Sequence, residues 1–193
     1  RQRARQRPGA QAAAARLRTL ARTERLSEVQ EDNADKLARD LTEAGDEVQG
    51  VANLLSRARA LAIRAATDTT GENGRAAIAE EIAQLELELF DRANAETLTG
   101  EPLFSGTAAG PAFVRAADGT VSYNGNGEIP TVPVAPGSEL ERGLTGQQIF
   151  EFSVGGIPTN AFAVLSDLSA ALRPGVPDPA AAARAAIDGL DVA

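Results

Sequence analysis

The placement of proline divides this chain of 193 residues into two parts of different character. Pro8 and Pro102 enclose a stretch without any proline, and the other eight of the ten prolines follow Pro102. Proline removes a backbone donor and breaks the interior of a helix, so only the first part can form long helices. We therefore expect helices before Pro102 and shorter elements after it.

An apolar stripe in the first part predicts one very long helix. Apolar residues recur there at alternating spacings of four and three, which is typical of a helix packed lengthwise on its partners. The pattern predicts a single helix over residues 10–66, in which Gly45 and Gly50 mark a bend or a close contact. The stripe consists of Leu37, Leu41, Ala44, Val48, Val51, Leu55, Ala58 and Ala62.

A second helix is predicted after a short turn. Residues 67–74 are rich in Gly, Thr, Asp and Asn, which favour turns. Beyond them a helical apolar stripe begins at Ile78 and continues to about Leu98. Two long helices joined by a short turn predict an antiparallel helical hairpin.

After Pro102 the pattern changes to short apolar runs separated by turns rich in Gly and Asn, which predict a small antiparallel β region. The run around Pro130 and Pro133 belongs at a sheet edge or in an irregular extended segment, because proline cannot donate within a central strand. Helical spacing returns from Phe162. The predicted fold class is α+β, with an elongated antiparallel helical bundle or coiled-coil rod (residues 1–101 and 159–193) and an inserted antiparallel β domain (residues 102–158).

The composition excludes most catalytic chemistry, because the chain has no Cys, His, Met or Trp. It can form no thiolate nucleophile, histidine acid/base pair or His/Cys zinc site. The remaining candidates have structural interpretations: four glutamates on a solvated helix face and three ligand-like residues in a Gly/Asn hairpin. We therefore expect no enzyme, no catalytic, cofactor-binding or metal-binding residue, and no cofactor. The two sets are Glu80, Glu81, Glu86 and Glu88, and Asn124, Asn126 and Glu128.

The net charge of −8 conceals a strong asymmetry. Residues 1–25 carry eight Arg and one Glu, whereas the rest of the chain carries eleven basic and twenty-six acidic residues. The arginines of residues 1–7 have no aromatic neighbours, and an acidic body repels phosphate, so we expect no nucleic acid partner. No apolar run approaches the roughly 18 residues of a membrane span, so we also expect no membrane partner. The start at Arg1 suggests that natural termini are missing.

Three stretches carry a resemblance to a known family. Residues 48–85, with Arg75, Glu81-Ile82 and Gln84-Leu85 in that order after a Gly/Asn turn, resemble the amino-terminal helical region of the flagellin superfamily. Residues 100–125, which begin Gly-Glu-Pro-Leu-Phe-Ser-Gly-Thr, are similar to its hook–filament junction members, the hook-associated proteins. Flagellins usually read Thr-x-Phe-Asn-Gly at this place, and this chain does not. Residues 162–172 resemble the helix that follows the β domain in these proteins.

The resemblance implies a structural subunit of the bacterial flagellum at the junction between hook and filament. It implies a ring of copies of the chain, contacts with a neighbouring hook-associated protein and flagellin, and an export chaperone. The protein would lie outside the cell after export by the flagellar secretion system. A divergent flagellin filament subunit is the alternative within the superfamily. Another class, a surface glycan-binding protein using the β domain, would have Tyr123 as its only tyrosine for stacking.

Overall fold

The long predicted helix is present as α1, Pro8–Ala65, with 58 residues. The computed structural model describes residues 8–67 and 69–193. The bounds of α1 lie within two residues of the prediction, and at 1.5 Å per residue the helix is about 87 Å long. The arginine-rich residues 1–7, considered above as a nucleic-acid patch, lie outside the described residues.

The other elements confirm the α+β class. Three antiparallel strand pairs, β1–β2, β3–β4 and β5–β6, form three separate two-stranded sheets in the described part. Strand β3 contains Pro133 and pairs with β4 in a two-stranded sheet, so of the two predicted placements the structure has the edge strand. The elements after α1 are α2 Glu72–Ala93, β1 Phe113–Arg115, β2 Val121–Tyr123, β3 Thr131–Ala135, β4 Ser138–Glu141, α3 Gly146–Phe150, β5 Glu151–Val154, β6 Ile157–Asn160, α4 Ala161–Ala171 and α5 Pro179–Leu190.

Helix α2 ends at Ala93 rather than near Leu98 because the next residue joins it to a strand. The Asn94 side chain accepts a hydrogen bond from the Phe113 N–H (2.9 Å) and donates one to the Phe113 carbonyl oxygen (3.1 Å). The side-chain Nδ2 of Asn94 also donates a hydrogen bond to the Phe90 carbonyl oxygen at 3.3 Å. One amide side chain therefore caps the helix and fixes the start of β1.

Ion pairs confirm that α1 and α2 are antiparallel. Arg57 on α1 pairs with Glu81 on α2 (2.6 Å), and Glu47 on α1 pairs with Arg92 on α2 (3.0 Å). The α1 residue of the second pair comes ten positions earlier in the sequence than that of the first, whereas its α2 partner comes eleven positions later. Only an antiparallel pair of helices gives this order. Gly50 leaves room for the Arg92 guanidinium, which a Cβ at this position would displace.

The described residues group into two units of mutual contacts. One holds α1 up to Arg39 together with residues 131–142, and the other holds residues 40–130 and 143–193. In the first unit the Asn33 side chain donates a hydrogen bond to the Pro133 carbonyl oxygen at 3.0 Å. The division at residues 102 and 158 stays a prediction.

The buried face of α1 is broader than the predicted stripe. Leu41 is 41% exposed and Val48 is half-buried, whereas the other six predicted positions are buried. Leu54, Leu61 and Ala65 are buried in addition. A helix that contacts several neighbours buries a wider sector than the narrow seam of a two-stranded coiled coil.

The centre of the core is a cluster of aromatic rings. It contains five of the six phenylalanines and the only tyrosine of the chain. Ring centroids of neighbouring pairs lie 5.0 to 6.3 Å apart, mostly in tilted or edge-to-face geometry. We call it the aromatic cluster: Phe90, Phe104, Phe113, Tyr123, Phe150 and Phe162.

Leu55→Ala should lower the free energy of unfolding by about 2 to 5 kcal/mol, because it leaves a cavity in the core. Leu98 is 89% exposed, so Leu98→Ala is the matched control and should change it by less than about 0.5 kcal/mol. Urea unfolding followed by circular dichroism measures both. An equal loss in the two variants would contradict the burial of this face of α1.

The titration of Tyr123 should report its place in the aromatic cluster. Burial raises the pKa of its hydroxyl above the usual 10.0, and that hydroxyl donates to the carbonyl oxygens of Asn126 (2.8 Å) and Phe104 (3.0 Å). Since the unfolded chain then releases this proton at lower pH, the free energy of unfolding should fall as the pH rises above about 10.

Tyr123 is the only tyrosine, so the ultraviolet absorbance of the phenolate follows it alone. The midpoint should lie above 10.0 in the folded chain and move down to about 10 in urea. Tyr123→Phe should lose its share of the pH dependence of stability. A midpoint at or below that of the urea-unfolded chain would contradict the burial of the hydroxyl.

Candidate assembly surfaces

The prediction that Glu86 lies on a solvated face of α2 is wrong. Its side chain is buried, and its carboxylate accepts a hydrogen bond from Nη2 of Arg115 at 2.8 Å. The Arg115 guanidinium lies 4.8 Å from the centre of the Phe90 ring, a cation–π geometry. Strand β1 thus supplies a charge partner 29 residues away in the sequence, which helical periodicity does not reveal.

The other three glutamates remain on the surface and do not converge. Glu81 pairs with Arg57 on α1, and Glu88 pairs with Arg92 one turn along its own helix (3.1 Å). Hydrogen bonding, first to Glu88 and then to Glu47, raises the pKa of the Arg92 guanidinium. Glu81 and Glu88 are thus held by different arginines, and Arg92 is shared between Glu88 and Glu47.

The ligand-like residues of the β region connect two loops. Asn126 Oδ1 accepts from the backbone N–H of Thr107 (3.0 Å) and of Glu128 (3.3 Å), and its Nδ2 donates to the Thr107 hydroxyl (2.8 Å). The same hydroxyl donates to Glu128 at 3.2 Å, while Asn124 Nδ2 donates to the Pro111 carbonyl oxygen. Across residues 8–67 and 69–193, no group of three or more acidic side chains is placed to hold a metal ion.

The first part of α1 presents a basic surface that the rest of its unit does not bury. From residue 11 to residue 36 no residue is buried. Four large apolar side chains there are each more than half exposed, and they alternate with four arginines against Glu24 and Glu28. We call residues 16–29 the basic segment of α1; it contains Arg16, Leu17, Arg18, Leu20, Arg22, Arg25, Leu26 and Val29.

Helices α4 and α5 and the β5–β6 hairpin enclose an apolar groove of about 410 Å³, the α4–α5 groove. Small residues of α5 form one wall, where a Cβ on Gly189 would make a tight contact of 3.2 Å with a Val164 methyl group. Ile157 on the rim is 72% exposed. Its lining includes Val154, Ile157, Val164, Asp167, Leu168, Ala186 and Gly189.

A second groove, of about 300 Å³, lies beside the middle of α1. Its lining includes Leu41, Val48, Phe104 and Leu144, and both Leu41 and Leu144 expose about half of their surface to solvent or less. Leu41 is partly exposed, unlike most of the predicted stripe, because its side chain lines this open groove. In the described part of the chain, no helix combines the length and apolar character that a membrane crossing requires.

Glu86→Ala should lower the free energy of unfolding by about 1 to 3 kcal/mol, because Arg115 then loses its charge partner in a partly buried place. Glu80→Ala is the matched control on an exposed turn of α2 and should cost less than about 0.5 kcal/mol. Thermal unfolding measures both. Combining Glu86→Ala with Arg115→Ala should cost less than the sum of the single losses, and strict additivity would contradict the pair.

Comparison with solved structures shows the same fold in several flagellar proteins. FlgL of Xanthomonas campestris superposes with a TM-score of 0.73 at 18% identity, over 86% of this chain and 83% of that chain. A Vibrio parahaemolyticus protein described as flagellar hook-associated gives 0.74 at 22% identity, over 96% and 80%. The flagellar junction protein FlgL of Legionella pneumophila gives 0.60 at 22% identity, over 72% and 42%.

Sequence comparison gives the family directly. No curated protein sequence matches this chain significantly. The profile of the bacterial flagellin N-terminal helical region matches residues 3–109, more than half of the sequence. The matched range contains α1, α2 and the loop that carries Phe104. On this evidence the chain belongs to the bacterial flagellin family.

Proposed function

We propose that this chain is a structural subunit at the junction between the hook and the filament of the bacterial flagellum. Membership of the flagellin family makes it a flagellar component and a structural protein rather than an enzyme. The observation that carries the proposal is the agreement of fold with FlgL of Xanthomonas campestris over 86% of the chain, with a hook-associated protein over 96% and with a flagellar junction protein over 72%. That agreement extends past residue 109 into the β hairpins and the last two helices.

The described surfaces are typical of a structural protein that acts through contacts with other subunits. The basic segment of α1 and the α4–α5 groove both expose apolar groups, whereas the carboxylates considered for catalysis are paired or isolated. Exposed apolar patches beside charged residues are typical of protein–protein contact sites. We propose a ring of copies of this chain that contacts a neighbouring hook-associated protein on one side and flagellin on the other. An export chaperone and the flagellar secretion system would deliver it outside the cell.

The glycan-binding alternative loses its stacking residue. The Tyr123 ring lies 5.2 Å from the Phe113 ring, and its hydroxyl is bonded to backbone carbonyl oxygens. A half-buried ring that packs against Phe113 and is bonded through its hydroxyl is a poor stacking platform for a sugar. The divergent flagellin alternative is separated from the proposal by the experiment below.

Deletion of the gene in the bacterium that encodes this chain tests the proposal. The hook should still assemble, and flagellin should be secreted into the medium but not retained as filament. Electron microscopy of the cell surface and immunoblotting of the medium measure the two outcomes, with the complemented strain as control. Loss of the secreted flagellin pool would identify the chain as the filament subunit, and filaments of normal length would overturn both assignments.

A further inference from the structure

We infer that the free edge of strand β5 binds an extended segment of a partner protein as an added strand, and that this segment carries an arginine between two apolar residues. The inference goes beyond the junction role and does not depend on it. It rests on two features of the β5–β6 hairpin. Backbone groups of β5 face away from the hairpin, and a polar groove beside them contains a carboxylate without a counter-charge.

The turn of the hairpin determines which backbone groups face outwards. The two glycines of the turn, residues 155–156, both have positive φ (59° and 84°), which is typical of a two-residue type I′ turn. The flanking residues Val154 and Ile157 then form a hydrogen-bonded pair, and such pairs alternate with non-hydrogen-bonded pairs along an antiparallel ladder. Ser153 and Pro158 form the next pair. The N–H and the carbonyl oxygen of Ser153 therefore point away from β6.

The β5 edge of this hairpin suits a further strand better than the β6 edge does. Strand β6 carries Pro158 at its outward-facing position, and proline has no N–H to donate. Ser153 on β5 is exposed, and no backbone group elsewhere in residues 8–67 and 69–193 bonds to it. Within the same residues, β5 pairs with β6 alone. An unpaired N–H and carbonyl oxygen on an exposed edge are a template for another strand.

The face of the hairpin beside this edge borders a polar groove of about 420 Å³. Glu151 and Ser153 lie on this face together because they are two positions apart in a strand. Their cross-strand partners, Asn160 and Pro158, lie on it as well. We call it the β5–β6 polar groove; its lining consists of Gln147, Glu151, Phe152, Ser153, Pro158, Thr159 and Asn160.

The groove has one charged side chain in its lining, the half-buried carboxylate of Glu151. No described arginine or lysine pairs with it, and the side chains of Gln147 and Ser153 form no hydrogen bond with any described residue. The Asn160 side chain is already used, since its Oδ1 caps α4 and its Nδ2 donates to the backbone of β2. A half-buried carboxylate without a counter-charge, next to spare oxygen acceptors, favours a cationic ligand.

A guanidinium group fits these acceptors better than an ammonium group does. Guanidinium has five N–H donors in one plane, whereas ammonium has three. The carboxylate of Glu151 can accept two of them side by side, and the amide oxygen of Gln147 and the hydroxyl of Ser153 are further acceptors. The exposed ring of Pro158 provides an apolar surface for the stem of the arginine side chain.

The register of the added strand follows from the pleat of the sheet. Residues directly opposite each other share a face, so an arginine that enters the groove stands opposite Ser153. Its two neighbours in the segment project to the other face, on which Phe152 and Val154 lie. The partner segment therefore has apolar, β-branched residues on both sides of its arginine.

Nuclear magnetic resonance titration of the isotope-labelled chain tests this inference. The probe is the peptide acetyl-Thr-Val-Arg-Val-Thr-amide, and the control peptide has citrulline, an uncharged isostere, in place of arginine. The amide signal of Ser153 should shift saturably with the arginine peptide, in the millimolar range expected of so small a contact. The citrulline peptide should bind at least about tenfold more weakly. Equal affinities, or the absence of a saturable shift, would overturn the inference.

Substitutions separate strand addition from binding of the side chain alone. Ser153→Ala keeps the outward N–H and should retain affinity within about threefold, whereas Ser153→Pro removes it and should weaken binding about fivefold or more. Glu151→Gln should remove the preference for arginine over citrulline. Circular dichroism checks the helix content of each variant. Equal affinity of the two Ser153 variants would contradict strand addition.

A modified peptide makes the same test without changing the protein. Methylation of the arginine backbone nitrogen removes the donor that faces the Ser153 carbonyl oxygen, so this peptide should bind at least about fivefold more weakly than the unmodified one. Unchanged affinity of the methylated peptide would show that no strand is added.

Other occupants of the edge give distinct results. If the Ser153 signal shifts saturably with rising concentration of the chain alone, the occupant is a second copy, and the assignment to a separate partner is wrong. If arginine amide binds as tightly as the peptide, the groove is a site for small cations, and strand addition is wrong. The deletion strain reports on the junction role alone, so either proposal can fail without the other.

Discussion

The aromatic cluster is the interaction on which the rest of the larger unit depends. Helices α2, α3 and α4 and strands β1 and β2 each contribute at least one ring to it, and the loop after α2 contributes Phe104. Two- and three-turn elements and three-residue strands are too short to be stable alone. Packing their rings together buries most of the large aromatic groups of the chain at one place, so helical and β elements share a single core.

Around this core, polar groups act mainly by joining elements that sequence places far apart. Asn94 fixes the end of α2 to β1, and the Arg115–Glu86 pair adds a charged contact between the same two elements. Arg92 joins α2 to α1 through Glu47. The Arg59–Asp191 pair joins α1 to the residue that follows α5, and the hydrogen bond from Arg59 holds the pKa of the Asp191 carboxyl below its usual range. Exposed pairs of this kind contribute little stability singly, so their effect is on register and orientation.

Burial of the α1 side chains sets in only partway along the helix. From residue 11 to residue 36, some seven turns, no residue of α1 is buried, whereas Leu37 and several positions after it are. Helices gain most of their stability in proteins from packing, so a long exposed amphipathic stretch is expected to find a partner. The exposed stretch of α1 and the exposed α4–α5 groove therefore favour assembly with other subunits as the role of the described surfaces.

The sequence by itself determined the class of the fold, the length of α1 and the antiparallel pairing of α1 and α2. It also excluded a central strand around Pro133 and carried the resemblance to the flagellin superfamily. These follow from proline placement, apolar periodicity and the order of short motifs, all of which are written in neighbouring residues. Only the tertiary structure decided four other features. They are the packing of six aromatic rings, the burial of Glu86, the end of α2 before Asn94 and the α4–α5 groove. Each depends on contacts between residues about 20 or more positions apart along the chain. A local sequence pattern does not indicate which distant residue will be in contact with a given side chain.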